Sequence, residues 1–233
     1  MTNGVAVALT AALAALVLLR APRRSVENVA ALRAALADDP RARVRFYRRA
    51  VLSLPLVPAL CFFVFATSEL RWSEAGATWD ATARRLAVPV SIAAVVGAVL
   101  AMLAVLPLVE RVRPGSLERL HDVSKVLAPT TGRERAWWLL VSLTAGVTEE
   151  LVFRGLFVLH LHALVPALPV WPLAVAAAVA FGLSHRYQGS AGVVASGVMG
   201  LAFGAVAVVT GTVLVAVVLH ALWDVVAGYA RRD

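Results

Sequence analysis

One cysteine, Cys61, stands in 233 residues, so no internal disulfide can form, and neither thiol redox chemistry nor a thiolate metal site is expected. Charge is scarce as well. Only 15% of residues are Asp, Glu, Lys or Arg, against 61% hydrophobic and a mean hydropathy of +0.81, which is too apolar for a soluble domain of this length. The two-residue alternation of a barrel strand is missing, and the apolar runs are long and rich in Ala, Val and Leu. This favours an all-α class, a polytopic transmembrane helical bundle, over a β-barrel. No internal repeat, low-complexity tract or second domain is evident. Acids are also few, 14 against 22 Lys and Arg, for a net charge of +8. That excess flanks the apolar runs, so it is read as setting topology and attracting anionic lipid headgroups, with no nucleic-acid partner.

In chain order, residues 4–19 form a first span ending at Arg20, with Pro22-Arg23-Arg24 after it; charge after the core rather than before it argues for a retained span over a signal peptide. Arg20 to Arg49 holds nine arginines against Glu27, Asp38 and Asp39, with Ser25 expected to cap a helix toward Ala37 that Asp39-Pro40 ends. Residues 50–67 are a second span kinked at Pro55 and Pro58, followed by a polar loop at 70–86 anchored by Trp72 and Trp79. Residues 87–109 form a third span, and Glu110 to Arg135 a second basic loop containing a solvated His121. Trp137 and Trp138 mark the next membrane boundary, and a long fourth span reaches about His162, with a tilt or a break near Gly146. Residues 171–184, 190–209 and 212–229 complete about seven spans, within a range of six to eight. Both basic segments, Arg186 and Arg231-Arg232 then share the cytoplasmic side, and the N-terminus is external. Residues 1–136 are thus N-terminal spans with basic segments, and 137–233 a core, within one integral membrane domain.

The core contains Thr148-Glu149-Glu150-Leu151-Val152-Phe153-Arg154, three ionisable groups in an apolar span. A charge at the bilayer centre costs at least ~2.5–3.5 kcal/mol, so such groups face a protein interior or a wet cavity. Glu150 and Arg154 are four apart and share a helix face, while Glu149 lies roughly 100° round. This predicts one structural ion pair and one working carboxylate. Phe181-xxx-His185 ends the fifth span and His220-xxx-Asp224 sits in the seventh, each pair again presented from one face. Unpaired polar groups in three spans would each need separate compensation, so convergence on one site is expected. Gly192, Ser196, Gly200 and Gly204 make a small-residue stripe, read as close packing inside the bundle, with a homodimer seam as the alternative.

Such a set suits hydrolysis of an amide by water. A carboxylate serves as general base, a histidine beside it shares or orients the proton, and a second imidazole donates to the oxyanion. No Ser/His/acid order stands out around Ser184 or Ser196, which favours direct attack by water over an acyl-enzyme.

These three ordered motifs, Glu149-Glu150-xxx-Arg154, Phe181-xxx-His185 and His220-xxx-Asp224, resemble those of the CAAX-protease and bacteriocin-processing family of intramembrane glutamate-type endopeptidases, over roughly residues 137–229. The resemblance implies that Glu149, helped by His185, activates the attacking water, that His220 and Asp224 form the oxyanion side, and that Glu150 and Arg154 brace the site. It implies a membrane-associated protein or peptide substrate, lipidated in some members, and no cofactor. Where prenyl-processing members carry Asn, this chain has Asp224. An ionised Asp cannot donate to an oxyanion, so Asp224 is either protonated or orients His220 as an acceptor, the second being the expected role. The Ala/Arg-rich composition and short loops suggest a bacterial plasma-membrane protein.

Three rival readings exist. Two Glu and two His can ligate zinc, although no His-Glu-xx-His occurs, and His160 and His162, placed at headgroup level near the far end of the fourth span, point to opposite sides of a helix. A non-catalytic scaffold would bind hydrophobic or lipidated peptides in the same cavity. A transporter would use the acids as proton relays, but no inverted repeat is visible.

Overall fold

The computed structural model describes residues 3–230, and residues 17–24 by their backbone alone. Regular structure among the described residues is entirely helical. The Arg231-Arg232 tail expected on the cytoplasmic side lies outside them. Helix α1 (Asn3–Ala35) runs unbroken through Pro22 and Ser25, so the expected boundary at Arg20 and a separate helix capped by Ser25 are both corrected. A turn in which Arg41 N–H donates to Asp39 Oδ1 at 2.8 Å follows it. The Arg45 guanidinium also pairs with Asp39 and holds that carboxyl below its ordinary range.

Helices α2 (Ala42–Ser53) and α3 (Leu56–Thr67) are separated at Leu54-Pro55, where the proline ring removes a donor and crowds the preceding turn. After a 3-10 turn at Trp72–Ala75, Asp80 opens α4 (Ala81–Val112) by accepting from Ala83 N at 2.8 Å. The second basic segment, expected as a loop, contains an amphipathic helix, α5 (Ser116–Leu127). Helix α6 (Gly132–Glu150) begins with a reciprocal capping box between Thr131 and Glu134. The rest of the core follows the sequence-based boundaries closely: α8 (Val170–Ser184), α9 (Gly189–Thr210) and α10 (Val213–Tyr229).

Four segments are long and apolar enough to cross a membrane: Ala42–Thr67, Ala81–Val112, Gly132–Leu164 and Arg186–Thr210. Asn3–Leu16, Val170–Ser184 and Val213–Tyr229 are shorter apolar helices. The chain is an integral membrane protein.

Helix α6 does not break at Gly146. It stays α-helical through Glu150 and then widens into a π-helical stretch, Leu151–His160, before the single turn α7 (Leu161–Leu164). Irregularity therefore follows the glutamates instead of preceding them. Gly146 has a different task, because a Cβ there would stand 3.0 Å from Ala221 N and Val217 O. Its hydrogen lets α10 ride directly on α6, which sets His220, next to Ala221, against the two glutamates. At the other contact, a Cβ on Gly200 would meet Phe181 Cδ1 at 3.1 Å and Arg154 Nη2 at 3.3 Å. The small-residue stripe of α9 thus faces α8 at Gly200 and, beside Ala174, at Gly204.

Candidate active site

The Glu150 carboxylate is wholly buried, and its Oε1 accepts from Arg154 Nη1 at 2.8 Å. Arg154 is equally buried and donates a second bond, Nη2 to Gly200 O, at 2.8 Å. Its guanidinium lies over the rings of Phe181 and Phe203, 4.7 and 5.6 Å from their centroids. The ion pair inferred from spacing is present and is clamped to α9. A buried charge with carboxylate, carbonyl and aromatic partners has its solvation replaced by the protein.

The same Glu150 Oε1 lies 2.8 Å from His220 Nδ1. An ionised carboxylate only accepts, so Nδ1 carries a hydrogen and the other ring nitrogen is turned away from Glu150. Nε2 faces two carboxylates, Asp224 Oδ2 at 3.7 Å and Glu149 Oε2 at 4.0 Å. The ring is fixed by Phe203, stacked at 5.2 Å, and by Phe181, edge-on at 5.7 Å. Orientation of His220 therefore comes from Glu150, not from Asp224 as expected, because Asp224 stands beyond hydrogen-bonding distance on the opposite side of the ring.

Glu149 differs from its neighbour. The side chain is 24% exposed where Glu150 is wholly buried, and although each residue keeps its Oε2 without a hydrogen-bond partner among the described residues, Glu150 Oε1 is bonded twice. His185 follows the last turn of α8, where Nδ1 donates to Phe181 O at 2.9 Å, with Ser184 Oγ 3.1 Å away. That bond leaves Nε2 as the nitrogen with a free lone pair. Among the described residues no hydrogen bond or ion pair joins His185 to Glu149.

Glu149, His185, His220 and Asp224 all line one cavity of about 820 Å³. Much of its wall comes from before the core: Leu32 of α1, Tyr47 of α2, Pro58 of α3 and Met102 of α4. A second, apolar cleft of about 550 Å³ runs between α3 and α6 and shares Pro58 and Thr148 with the first.

Several contributors were not singled out from the sequence. Trp138, expected as a membrane-boundary anchor, turns inward: its Nε1 donates to Asp224 O at 2.9 Å and its ring meets Tyr47 edge-on at 5.6 Å. Tyr187 and Gln188, two and three residues after His185, line the cavity, and no motif pointed to them. Glu134, buried at the start of α6, accepts from Thr130 N, Thr130 Oγ1 and Thr131 N, a role that Thr131-xx-Glu134 spacing encodes. His160 is buried against Phe65, 4.7 Å between rings, rather than at an exposed helix end, while His162 Nδ1 lies 2.7 Å from Leu168 O. Neither lines the cavity. Among the described residues no three His, Cys, Asp or Glu side chains converge as metal ligands.

Residues 131–226 match the family described as Type II CAAX prenyl endopeptidase Rce1-like. No curated protein and no solved structure is significantly similar to the chain. The match spans all three motifs and the whole buried cluster from Glu149 to Asp224. It gives the chain, at family level, the character of a membrane protease. The match to the Rce1-like type II CAAX prenyl endopeptidase model at residues 131–226 agrees with the resemblance carried by the motifs.

Proposed function

We propose that the protein is an intramembrane endopeptidase that cleaves a membrane-associated protein or peptide with water activated by Glu149. The observation that carries this reading is the division of labour between adjacent glutamates. Glu150 Oε1 accepts from both Arg154 and His220 and does not line the cavity, whereas Glu149 lines it and its Oε2 has no hydrogen-bond partner among the described residues. Water held by Glu149 loses its proton as its oxygen adds to the scissile carbonyl, and His185 Nε2 helps to hold that proton before it passes to the leaving amine. His220 Nε2–H supports the developing oxyanion from the other side. Asp224, on the same side of the ring, holds the charge on His220 rather than setting its tautomer. No cofactor is required by this scheme.

The cavity size and the apolar cleft that meets it at Pro58 and Thr148 suit an extended hydrophobic or lipidated chain arriving from the bilayer. Seven spans, with the basic segments cytoplasmic and the N-terminus external, are the topology that the charge bias favours, in the plasma membrane of a bacterium.

The test is cleavage of a library of hydrophobic and lipidated peptides by the purified protein, beside Glu149→Gln and with a chelator. Cleavage lost in the variant and indifferent to chelation supports the reading. Chelator-sensitive cleavage would move the mechanism to zinc. Equal cleavage by the variant removes Glu149 as the base, and peptide binding without cleavage leaves a scaffold.

A further inference from the structure

The oxyanion side of the cluster is short of donors. Asp224, when ionised, can only accept, His185 spends its Nδ1 hydrogen on Phe181 O, and Arg154 is committed to Glu150 and Gly200 O. His220 Nε2 is the one donor that the three motifs leave facing the carboxylates. A tetrahedral intermediate in a desolvated site is held best by two converging donors, and losing one typically costs about 10²–10³ in rate.

Tyr187 has the properties of the second. It sits in the 3-10 turn Arg186–Gln188, immediately after His185, and its ring lies 5.7 Å from the His185 ring. It lines the same cavity as Glu149 and Asp224. Its oxygen accepts from Gln188 Nε2 at 3.0 Å, while among the described residues nothing accepts its own hydrogen. The side chain is half-buried at the cavity wall, so its hydrogen is available to whatever occupies the cavity. An O–H whose oxygen already accepts a hydrogen bond is also polarised into a stronger donor. Holding the phenol oxygen through Gln188 leaves the O–H group as a neutral donor in the cavity that Glu149 and Asp224 also line.

We propose that Tyr187 is a catalytic residue whose O–H donates to the scissile carbonyl oxygen as it becomes the oxyanion, paired with His220 Nε2–H. This rests on the reading of Glu149 as the base. Water oxygen adds to the carbonyl carbon, the π electron pair moves onto the carbonyl oxygen, and Glu149 takes the water proton. The pair then returns, the C–N bond breaks and the amine leaves with that proton. Tyr187 stays neutral throughout and transfers nothing. Its residue type selects substrates only through the position of the carbonyl, so the side chains flanking the cleaved bond are read elsewhere in the cavity.

The experiment compares wild type, Tyr187→Phe, Gln188→Leu and Glu149→Gln, each full-length in detergent micelles. The substrate is the library peptide that wild type cleaves fastest, the library including a farnesylated peptide with a CAAX terminus. A phosphonate analogue of the same peptide mimics the tetrahedral intermediate. Tyr187→Phe should lower kcat roughly ten- to hundredfold with KM within about twofold, and weaken the phosphonate by the same factor as kcat/KM. Gln188→Leu keeps the hydroxyl and should lose less than about fivefold. Thermal unfolding of each variant separates misfolding from chemistry. Tyr187→Phe with wild-type kcat, or with equal losses for phosphonate and substrate binding, overturns the assignment while an inactive Glu149→Gln leaves the base standing. An active Glu149→Gln, or no cleavage of any peptide by wild type, overturns both.

Discussion

Glu150 Oε1 and His220 Nδ1 lie 2.8 Å apart, a bond that joins positions seventy residues distant in the chain and ties α6 to α10 at the centre of the site. The same oxygen receives Arg154 Nη1, so one carboxylate answers both a fixed cation and a ring N–H. The consequence is that Glu149 and Glu150, adjacent and chemically identical, have opposite sensitivities.

Replacing Glu150 leaves Arg154 as an uncompensated buried charge, and breaking such a pair by removing one partner costs about 3–5 kcal/mol. Glu150→Gln should therefore unfold at much lower temperature in detergent. A double replacement, Glu150→Gln with Arg154→Met, should recover much of that loss, since the amide oxygen still accepts from His220. Glu149→Gln touches neither bond and should melt within a degree or two of wild type while losing hydrolysis. Tryptophan fluorescence during heating checks all three, and a Glu149→Gln protein as unstable as Glu150→Gln would contradict the division of labour.

Gly146 makes a second prediction. Any Cβ there must push α10 away from α6, because the atoms it meets at 3.0 Å are the backbone of Val217 and Ala221, which cannot rotate aside. Overpacking of this kind costs about 1–3 kcal/mol. Gly146→Ala should be mildly destabilised and Gly146→Val severely so. Activity should fall further than stability, since the displaced strip of α10 carries His220. A melting curve beside a hydrolysis rate for each variant tests the ratio.

The helical class and the helices of the core were legible because apolar runs of 15 to 25 residues leave no other membrane-compatible structure. The Glu150–Arg154 pair was legible because four-residue spacing on a helix is geometry. His220 was not so simple. Its spacing to Asp224 suggested that Asp224 orients the ring, but a residue from another helix, Glu150, takes Nδ1 instead. Local spacing shows which side chains share a face, not which partner across the bundle wins them. The π-helical stretch Leu151–His160 was invisible because apolar spacing marks a helix without marking where its hydrogen-bond ladder widens. Trp138 was misread from its place in the sequence, since a tryptophan near a span end anchors at an interface unless an inward acceptor is offered, and Asp224 O offers one.

That indole contact gives the third prediction. Trp138 fills the space over Gly228 so closely that a Cβ there would overlap the indole at Nε1. Gly228→Ala should expel the indole, break its bond to Asp224 O and loosen the helix that carries His220 and Asp224. Trp138→Phe removes the bond but keeps ring packing, at about 0.5–1.5 kcal/mol. Gly228→Ala should therefore be the more damaging, by melting temperature and by rate. Equal behaviour of the two would mean that the hydrogen bond, not the packing, holds α10.

The last prediction concerns the part of the chain outside the family match. Leu32, Tyr47, Pro58 and Met102 come from residues before 131, yet they line the cavity that holds Glu149. Chemistry and selection are then carried by different parts of the sequence, and bulk added to the earlier part should change what is cleaved without touching the acids. Met102→Trp adds volume from α4, a helix otherwise largely exposed, so its backbone has room to adjust. For a long lipidated peptide, KM should rise about tenfold or more, as expected when a cavity loses room for a bound chain. For a short peptide that occupies only the end near Glu149, kcat/KM should stay within about twofold, since the transition-state contacts are intact. The measurement is the ratio of kcat/KM for the two peptides in wild type and variant. An unchanged ratio would place the substrate outside this cavity, and an equal fall for both peptides would mean that the tryptophan had disturbed the catalytic cluster itself.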